Sequence, residues 1–391
     1  MIGGPALFFV AIPILHATAF QLGVLSAAGI LPGFLVALIA GSWADRLRRR
    51  PILIAADIGR AVLLATIPVA AMNAALRIEQ LYVVTLLVSF LTVFFDVAYQ
   101  SYLPALIDSE ELVEGNSKLS ASAAIAEVSG LALAGWLVKI FTAPIAIFVD
   151  AISFAVSAAS VWLIKAPESP PAGTAKPSMS GEVLEGLRAV IHNRILKTLA
   201  MCTLSKEFFG GVYGTLVMLY MIRDLGFSPG ILGSIWAIGG ISSLAGAALC
   251  GRVTQRFGIG PTMIFGLSIS ASASLLIPLA HGVTLGAAVL LIVQQICGDG
   301  FATVYQIDQV SLRQAIAAKP LLGRVNASTE FIRRGATLGG SLAGGFLAES
   351  LGVRPVLFYA TGGMLLSTLV LVFSPVRRLR SIPVCAHRVL P

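Results

Sequence analysis

The chain has 391 residues, 57% of them hydrophobic and 12% charged, with a mean hydropathy of +0.90. A soluble domain carries about 25% charged residues, so a soluble enzyme of this length, whose helices need polar faces, is excluded. The net charge of +8 and pI near 9.6 do not point to nucleic acid. The basic residues fall in short clusters between apolar runs, as the positive-inside rule requires.

The apolar runs predict membrane helices in chain order. The first is Ile2–Leu15. The second, Phe20–Ala44, stops at Asp45-Arg46-Leu47-Arg48-Arg49-Arg50. Pro51–Met72, Leu81–Leu103, Lys118–Val138 and Ala143–Ile164 follow. Lys165–Lys197 then breaks the pattern with four prolines and a stretch, Glu182–Lys197, whose apolar residues recur at helical spacing. That spacing predicts an amphipathic helix lying at the membrane surface. Six more runs come after it: Leu196–Ile222, Phe227–Cys250, Pro261–Ala280, Leu285–Ile307, Val325–Ala348 and Val353–Phe373. The expected fold is an all-α membrane protein of twelve transmembrane helices in two pseudo-symmetric six-helix bundles. Residues 1–164 form the first bundle, 165–195 a cytoplasmic linker, 196–374 the second bundle and 375–391 a cytoplasmic tail.

Charge sets the expected orientation. With the middle loop placed inside, the cytoplasmic segments hold nineteen basic residues, and the opposite loops hold Arg77, Lys139, Arg223 and Arg354. A multi-pass protein of the cell (inner) membrane with a cytoplasmic C-terminus follows. The four cysteines have no C-x-x-C spacing, and the four histidines have no metal-ligand spacing. No phosphate-binding Gly-rich Lys-Ser/Thr loop occurs, so no cofactor or metal is expected.

The halves repeat at an offset of 210. Leu22-Gly23 matches Leu232-Gly233, Gly29 matches Gly239, Gly41 matches Gly251 and Arg46 matches Arg256. Asn116, Gly130 and Gly135 match Asn326, Gly340 and Gly345. A shared offset that puts every pair at the same point of the same helix indicates a six-helix duplication. The same offset places the counterpart of the seventh run's start before Met1. The first helix is therefore read as truncated, lacking roughly its cytoplasmic half. A misplaced start codon is the favoured explanation, and a degenerate, non-transporting gene product the other.

Gly41-Ser42-Trp43-Ala44-Asp45-Arg46-Leu47-Arg48-Arg49-Arg50 resembles the Gly-x-x-x-Asp-Arg-x-x-Arg-Arg loop of the major facilitator superfamily. A degenerate second copy stands at Gly251–Gly258, with Gln255 in place of the acid. Leu322–Ser328 and Gln309–Gln314 look like the macrolide-efflux and enterobactin-exporter-like branch of drug:proton antiporters. Antiporters of this kind often carry a Gly-Pro pair in helix 5, whereas Gly130 is followed here by Leu131. The resemblance implies a proton-coupled exporter of small amphipathic compounds: drugs, macrolides or siderophore-like molecules. Its partners would be a small-molecule substrate, protons and the lipid bilayer; the chain is read as a monomer and not an enzyme. A metabolite uniporter or symporter of the same fold is the alternative.

In the loop after helix 2, Gly41 permits close helix approach. Asp45 can accept hydrogen bonds at a helix end and pair with an arginine. Gly41, Asp45, Arg46, Arg49 and Arg50 are accordingly read as a gate on the cytoplasmic side. Ionisable residues inside apolar runs are costly and so informative. Asp57 and Arg60, three apart on one helix face, are expected to pair, with Asp96 in the same network. Glu127 sits among small residues near mid-run. Desolvation favours a carboxyl's neutral form, so such a group can exchange a proton as water access alternates. Glu207 is the second proton or substrate candidate, with neighbouring Lys206 expected to point elsewhere. Asp150, Asp299, Arg333 and Arg334 complete the set, the arginines meeting either an anionic substrate or one of these acids.

Overall fold

The computed structural model describes residues 3–36, 49–102, 112–164, 179–318 and 321–381, and among them every regular element is helical. The helices are α1 (Gly3–Ala11), α2 (Ala19–Val36), α3 (Arg49–Met72), α4 (Ile78–Tyr102), α5 (Leu112–Ile140) and α6 (Ala143–Leu163). Next come α7 (Met179–His192), α8 (Arg194–Leu219), α9 (Pro229–Phe257) and α10 (Ile259–Ser274). The last three are α11 (Leu285–Ile316), α12 (Leu322–Leu351) and α13 (Val353–Val372). Among the described residues, eight helices are long and apolar enough to cross a membrane: α2, α3, α4, α6, α9, α10 with its extension to Leu279, α11 and α13. Val62, Trp162, Ile241, Phe346 and Leu366 are each more than half exposed, as side chains facing lipid are.

Local chemistry explains where the helices depart from the apolar runs. The stretch Pro261–Ala280 is not one helix: α10 ends at Ser274, and a short turn, Leu276–Leu279, continues it. Pro278 has no N–H to offer Ser274 and its ring crowds that carbonyl. Beyond the break, the Pro278 carbonyl accepts from Arg354 Nε at 2.8 Å. The surface helix stops at His192 because the Asn193 side chain caps α8, accepting from the Ile195 and Leu196 N–H groups at 3.0 and 3.1 Å. At its other end α8 runs into one π-turn, Tyr220–Asp224. Without a proline after Gly130, α5 is uninterrupted from Leu112 to Ile140. Gly258 (φ +92°) and Gly352 (φ +87°) each join two helices through one residue in the left-handed region.

The chain divides into two compact units. One comprises Met1–Met179 with Met218–Ala237, the other Ser180–Val217 with Ile238–Pro391. In the first, α3 packs against α4 and α6, and α2 against α4. In the second, α10 packs against α11 and α13 around Met263, Leu267, Tyr305, Leu312 and Leu371. Glycines let α8 and α12 approach backbone to backbone. A Cβ on Gly340 would lie 1.9 Å from the Phe208 carbonyl oxygen, and one on Gly211 2.4 Å from that of Thr337.

That seam makes a prediction. Gly340→Leu forces the helices apart and should cost about 1–3 kcal/mol of stability. Gly214 lies on the same α8 with nothing within 4 Å of an added Cβ. Gly214→Ala should therefore be neutral or gain up to about 1 kcal/mol from helix propensity. Thermal unfolding of the purified variants in detergent checks both signs.

Candidate functional site

In the first unit, α3 turns Asp57 and Arg60 onto one face, where they form an ion pair. Both are buried, at 0% and 4% exposure. The guanidinium is sandwiched by the Phe95 and Phe154 rings at 4.3 and 4.4 Å, and it donates to Thr92 Oγ1 at 3.4 Å. Asp96 and Asp150 add negative potential at the same guanidinium. Asp150 also accepts the Gly3 N–H at 3.1 Å, and a Cβ on Gly3 would fall 2.5 Å from its carboxylate. Asp150, grouped in the sequence with the proton candidates, thus lies in the Arg60 network and is tied to the backbone of α1. Arg50, at the start of α3, donates to the carbonyls of Val161 and Trp162 at the end of α6, at 3.3 and 2.5 Å. Arg49 precedes it on α3. Gly41, Asp45 and Arg46 lie outside the described residues, as does the Glu127 side chain on α5.

In the second unit, the seam between α8 and α12 carries a second charged group. Lys206 Nζ lies 2.8 Å from Glu207 Oε1, contrary to the expectation that these neighbours diverge. Successive helical residues do point about 100° apart, but two long side chains with no nearer partner bend together. Thr337 Oγ1 donates to the other Glu207 oxygen at 3.3 Å. Arg333 and Arg334 both bind Glu330, one turn earlier on α12, at 2.6–2.7 Å. Arg313 of α11 feels the same carboxylate. Four cations thus face two carboxylates, an excess of two positive charges. The paired side chains are 19–43% exposed, so a solute can reach them.

Asp299 stands apart. It lies near the middle of α11, half-buried, and among the described residues nothing forms an ion pair or hydrogen bond with its carboxylate. Room for it is made by Gly239 on α9, where a Cβ would come within 2.2 Å of Asp299 Oδ2 and 2.4 Å of Gln295 Nε2. The repeat is visible in this contact. Subtracting 210 turns Gly239, Gln295 and Asp299 into Gly29, Thr85 and Ser89, and a Cβ on Gly29 would indeed meet Thr85 at 3.6 Å and Ser89 at 3.9 Å. One half keeps two small hydroxyls at a packing contact where the other holds an amide and a carboxylate.

Sequence reasoning missed two acids. Glu330 was legible as the partner of Arg333 and Arg334 from its i,i+3 and i,i+4 spacing. Asp308, 3% exposed, accepts from Thr254 Oγ1 at 2.9 and 3.0 Å. It lies one residue past the end of the apolar run Leu285–Ile307.

Comparison with known proteins bears on the whole chain. An uncharacterised transporter, y4rN of Sinorhizobium fredii, is 26% identical over 260 residues, 64% of this chain and 61% of that protein. The match therefore spans less than two thirds of that relative's length. The multidrug efflux pump Tap of Mycolicibacterium fortuitum is 24% identical over 94% of this chain and 90% of its own. Among solved structures, the nucleoside transporter NupG superposes with a TM-score of 0.74 at 14% identity, covering 95% of this chain and 94% of that one, a likeness of fold. The sequence model of the Major Facilitator Superfamily matches residues 2–327. With buried ion networks inside apolar helices and relatives named as transporters, the chain belongs to the Major Facilitator Superfamily, a multi-pass membrane transporter and not an enzyme.

Proposed function

We propose that this transporter exports small amphipathic compounds against a proton gradient, by alternating access of two six-helix bundles with twelve spans in all. The observation that carries the reading is Asp299, a carboxylate inside a membrane helix that no described cation neutralises. A coupling group must gain and lose a proton as water reaches it from alternate sides. Glu207 and Asp57 differ from Asp299, since each is engaged in an ion pair, with Lys206 and with Arg60. Glu127, the repeat counterpart of Thr337 and the first coupling candidate from the sequence, stands second to Asp299 in this reading.

The excess positive charge along α8, α11 and α12 suits substrates that combine an apolar body with an acidic group. That favours siderophore-like acids over cationic macrolides. The relation to Tap supports the export direction. In this scheme the arginine-rich loop at Gly41, Asp45, Arg46, Arg49 and Arg50 governs closure on the cytoplasmic side. The chain works as a monomer in the inner membrane with its C-terminus in the cytoplasm.

The test is efflux from cells expressing the chain, across a panel of acidic, neutral and cationic amphiphiles. Export of an acidic member that stops when an uncoupler collapses the gradient is the expected outcome. Uncoupler-resistant export would remove the proton from the mechanism. Gradient-driven accumulation inside right-side-out vesicles would make the protein a symporter instead.

A further inference from the structure

A groove of about 1160 Å³ opens in the second unit between the ends of α7, α8 and α13. Its rim carries Arg194 and Lys197 from the first turn of α8, and Arg377 and Arg378 from the turn after α13. Its wall is apolar, with Met201 and Phe373 at 51% and 80% exposure. Among the described residues, none of the four cations forms an ion pair or a side-chain hydrogen bond, and no lining residue is acidic. Two cations in the first turn of a helix also oppose its dipole, which favours an anion there. Among the described residues the arrangement lacks its counter-charge.

These cations are held in place. Asn193 caps α8 and fixes the turn that bears Arg194 and Lys197. Ser374 Oγ accepts the Val376 N–H at 3.1 Å and starts the turn Pro375–Arg378. Val376 is fully buried, and a Cβ on Gly260 would lie 1.9 Å from its carbonyl oxygen. The Gly260 N–H donates to Leu379 O at 2.9 Å and closes the far side of the turn. Arg377 and Arg378 therefore sit on a packed corner rather than on a loose tail.

We infer that this groove is a binding site for an anionic phospholipid, whose phosphate meets the four cations while an acyl chain lies along Met201, Leu369 and Phe373. A free phosphate would satisfy the charge and leave the exposed apolar wall bare, whereas a lipid of the adjoining leaflet covers both. Basic pockets between transmembrane helices on the basic side of a membrane protein recognise such headgroups. Ile191 of the surface helix α7 completes the wall, so lipid occupancy would also hold that helix against the bundle.

The test uses the full chain in nanodiscs of zwitterionic lipid. Phosphatidylglycerol or cardiolipin is titrated in, with bound lipid counted by native mass spectrometry and thermal unfolding followed in parallel. Wild type should retain anionic lipid and gain stability. Arg377→Gln/Arg378→Gln should weaken retention by roughly tenfold or more and lose the stability gain. Arg252→Gln/Arg256→Gln, exposed arginines elsewhere in the same unit, should leave both readouts unchanged. Equal loss in the two double variants would mean diffuse surface attraction and overturn the site. Equal stabilisation by inorganic phosphate would also overturn it, in favour of a free-anion site.

Discussion

Asp299→Asn is expected to reduce gradient-driven transport to the level of empty vesicles while leaving the folded protein intact. The substitution preserves shape beside Gly239 and Gln295 and removes only the group that can exchange a proton. Substrate exchange without a gradient should persist, because binding and rocking do not need the proton once the site is permanently neutral. The transport rate of wild type should vary with pH, and residual exchange by the variant should be flat across the same range. Glu207→Gln should behave differently. It strands Lys206 without its partner and raises the positive excess along α8, α11 and α12, so apparent affinity for the substrate changes before coupling does. If Glu207→Gln abolishes coupling and Asp299→Asn does not, the two acids exchange roles.

The largest stability effect belongs to the Asp57–Arg60 pair. Arg60→Gln leaves a carboxylate at 0% exposure without its cation and empties the slot between Phe95 and Phe154. Breaking one side of a buried pair costs about 3–5 kcal/mol, and the lost aromatic contact adds up to about 2 kcal/mol. The single variant should therefore express poorly and unfold at much lower temperature. Asp57→Asn/Arg60→Gln should recover a substantial part of that loss, since no uncompensated charge remains. A double variant no more stable than Arg60→Gln would mean that the rings, not the carboxylate, hold Arg60.

Hydropathy located most helices to within a few residues: Pro51–Met72 against Arg49–Met72, and Ala143–Ile164 against Ala143–Leu163. It did so because a membrane imposes one length and one composition on everything that crosses it. It marks the edge of the apolar zone, however, and not the end of the helix. The run ending at Ile307 continues as helix to Ile316, which is why Asp308 and Arg313 escaped notice as parts of α11. The break at Leu275 is legible in the sequence at Pro278, which cannot donate to the Ser274 carbonyl.

The candidate site was legible in part, for a physical reason. Charges inside apolar runs announce themselves by cost, so Asp57, Arg60, Glu207 and Asp299 all stood out. Which of them has a partner is a property of packing between helices distant in sequence. Asp150 meets Gly3 from 147 residues away, and Thr337 meets Glu207 from 130. Gly29 and Gly239 were paired by offset alone, but their neighbours reveal that one half carries a carboxylate where the other carries a serine.

The central claim is that Asp299 couples transport to protons, and proton flux tests it most directly. The purified protein is reconstituted with a pH-sensitive dye in the vesicle lumen, and an outward gradient of an exported compound is imposed. Wild type should move protons against the substrate, and Asp299→Asn should move substrate by exchange with no accompanying proton signal. Undiminished substrate-driven proton movement by Asp299→Asn would contradict the account.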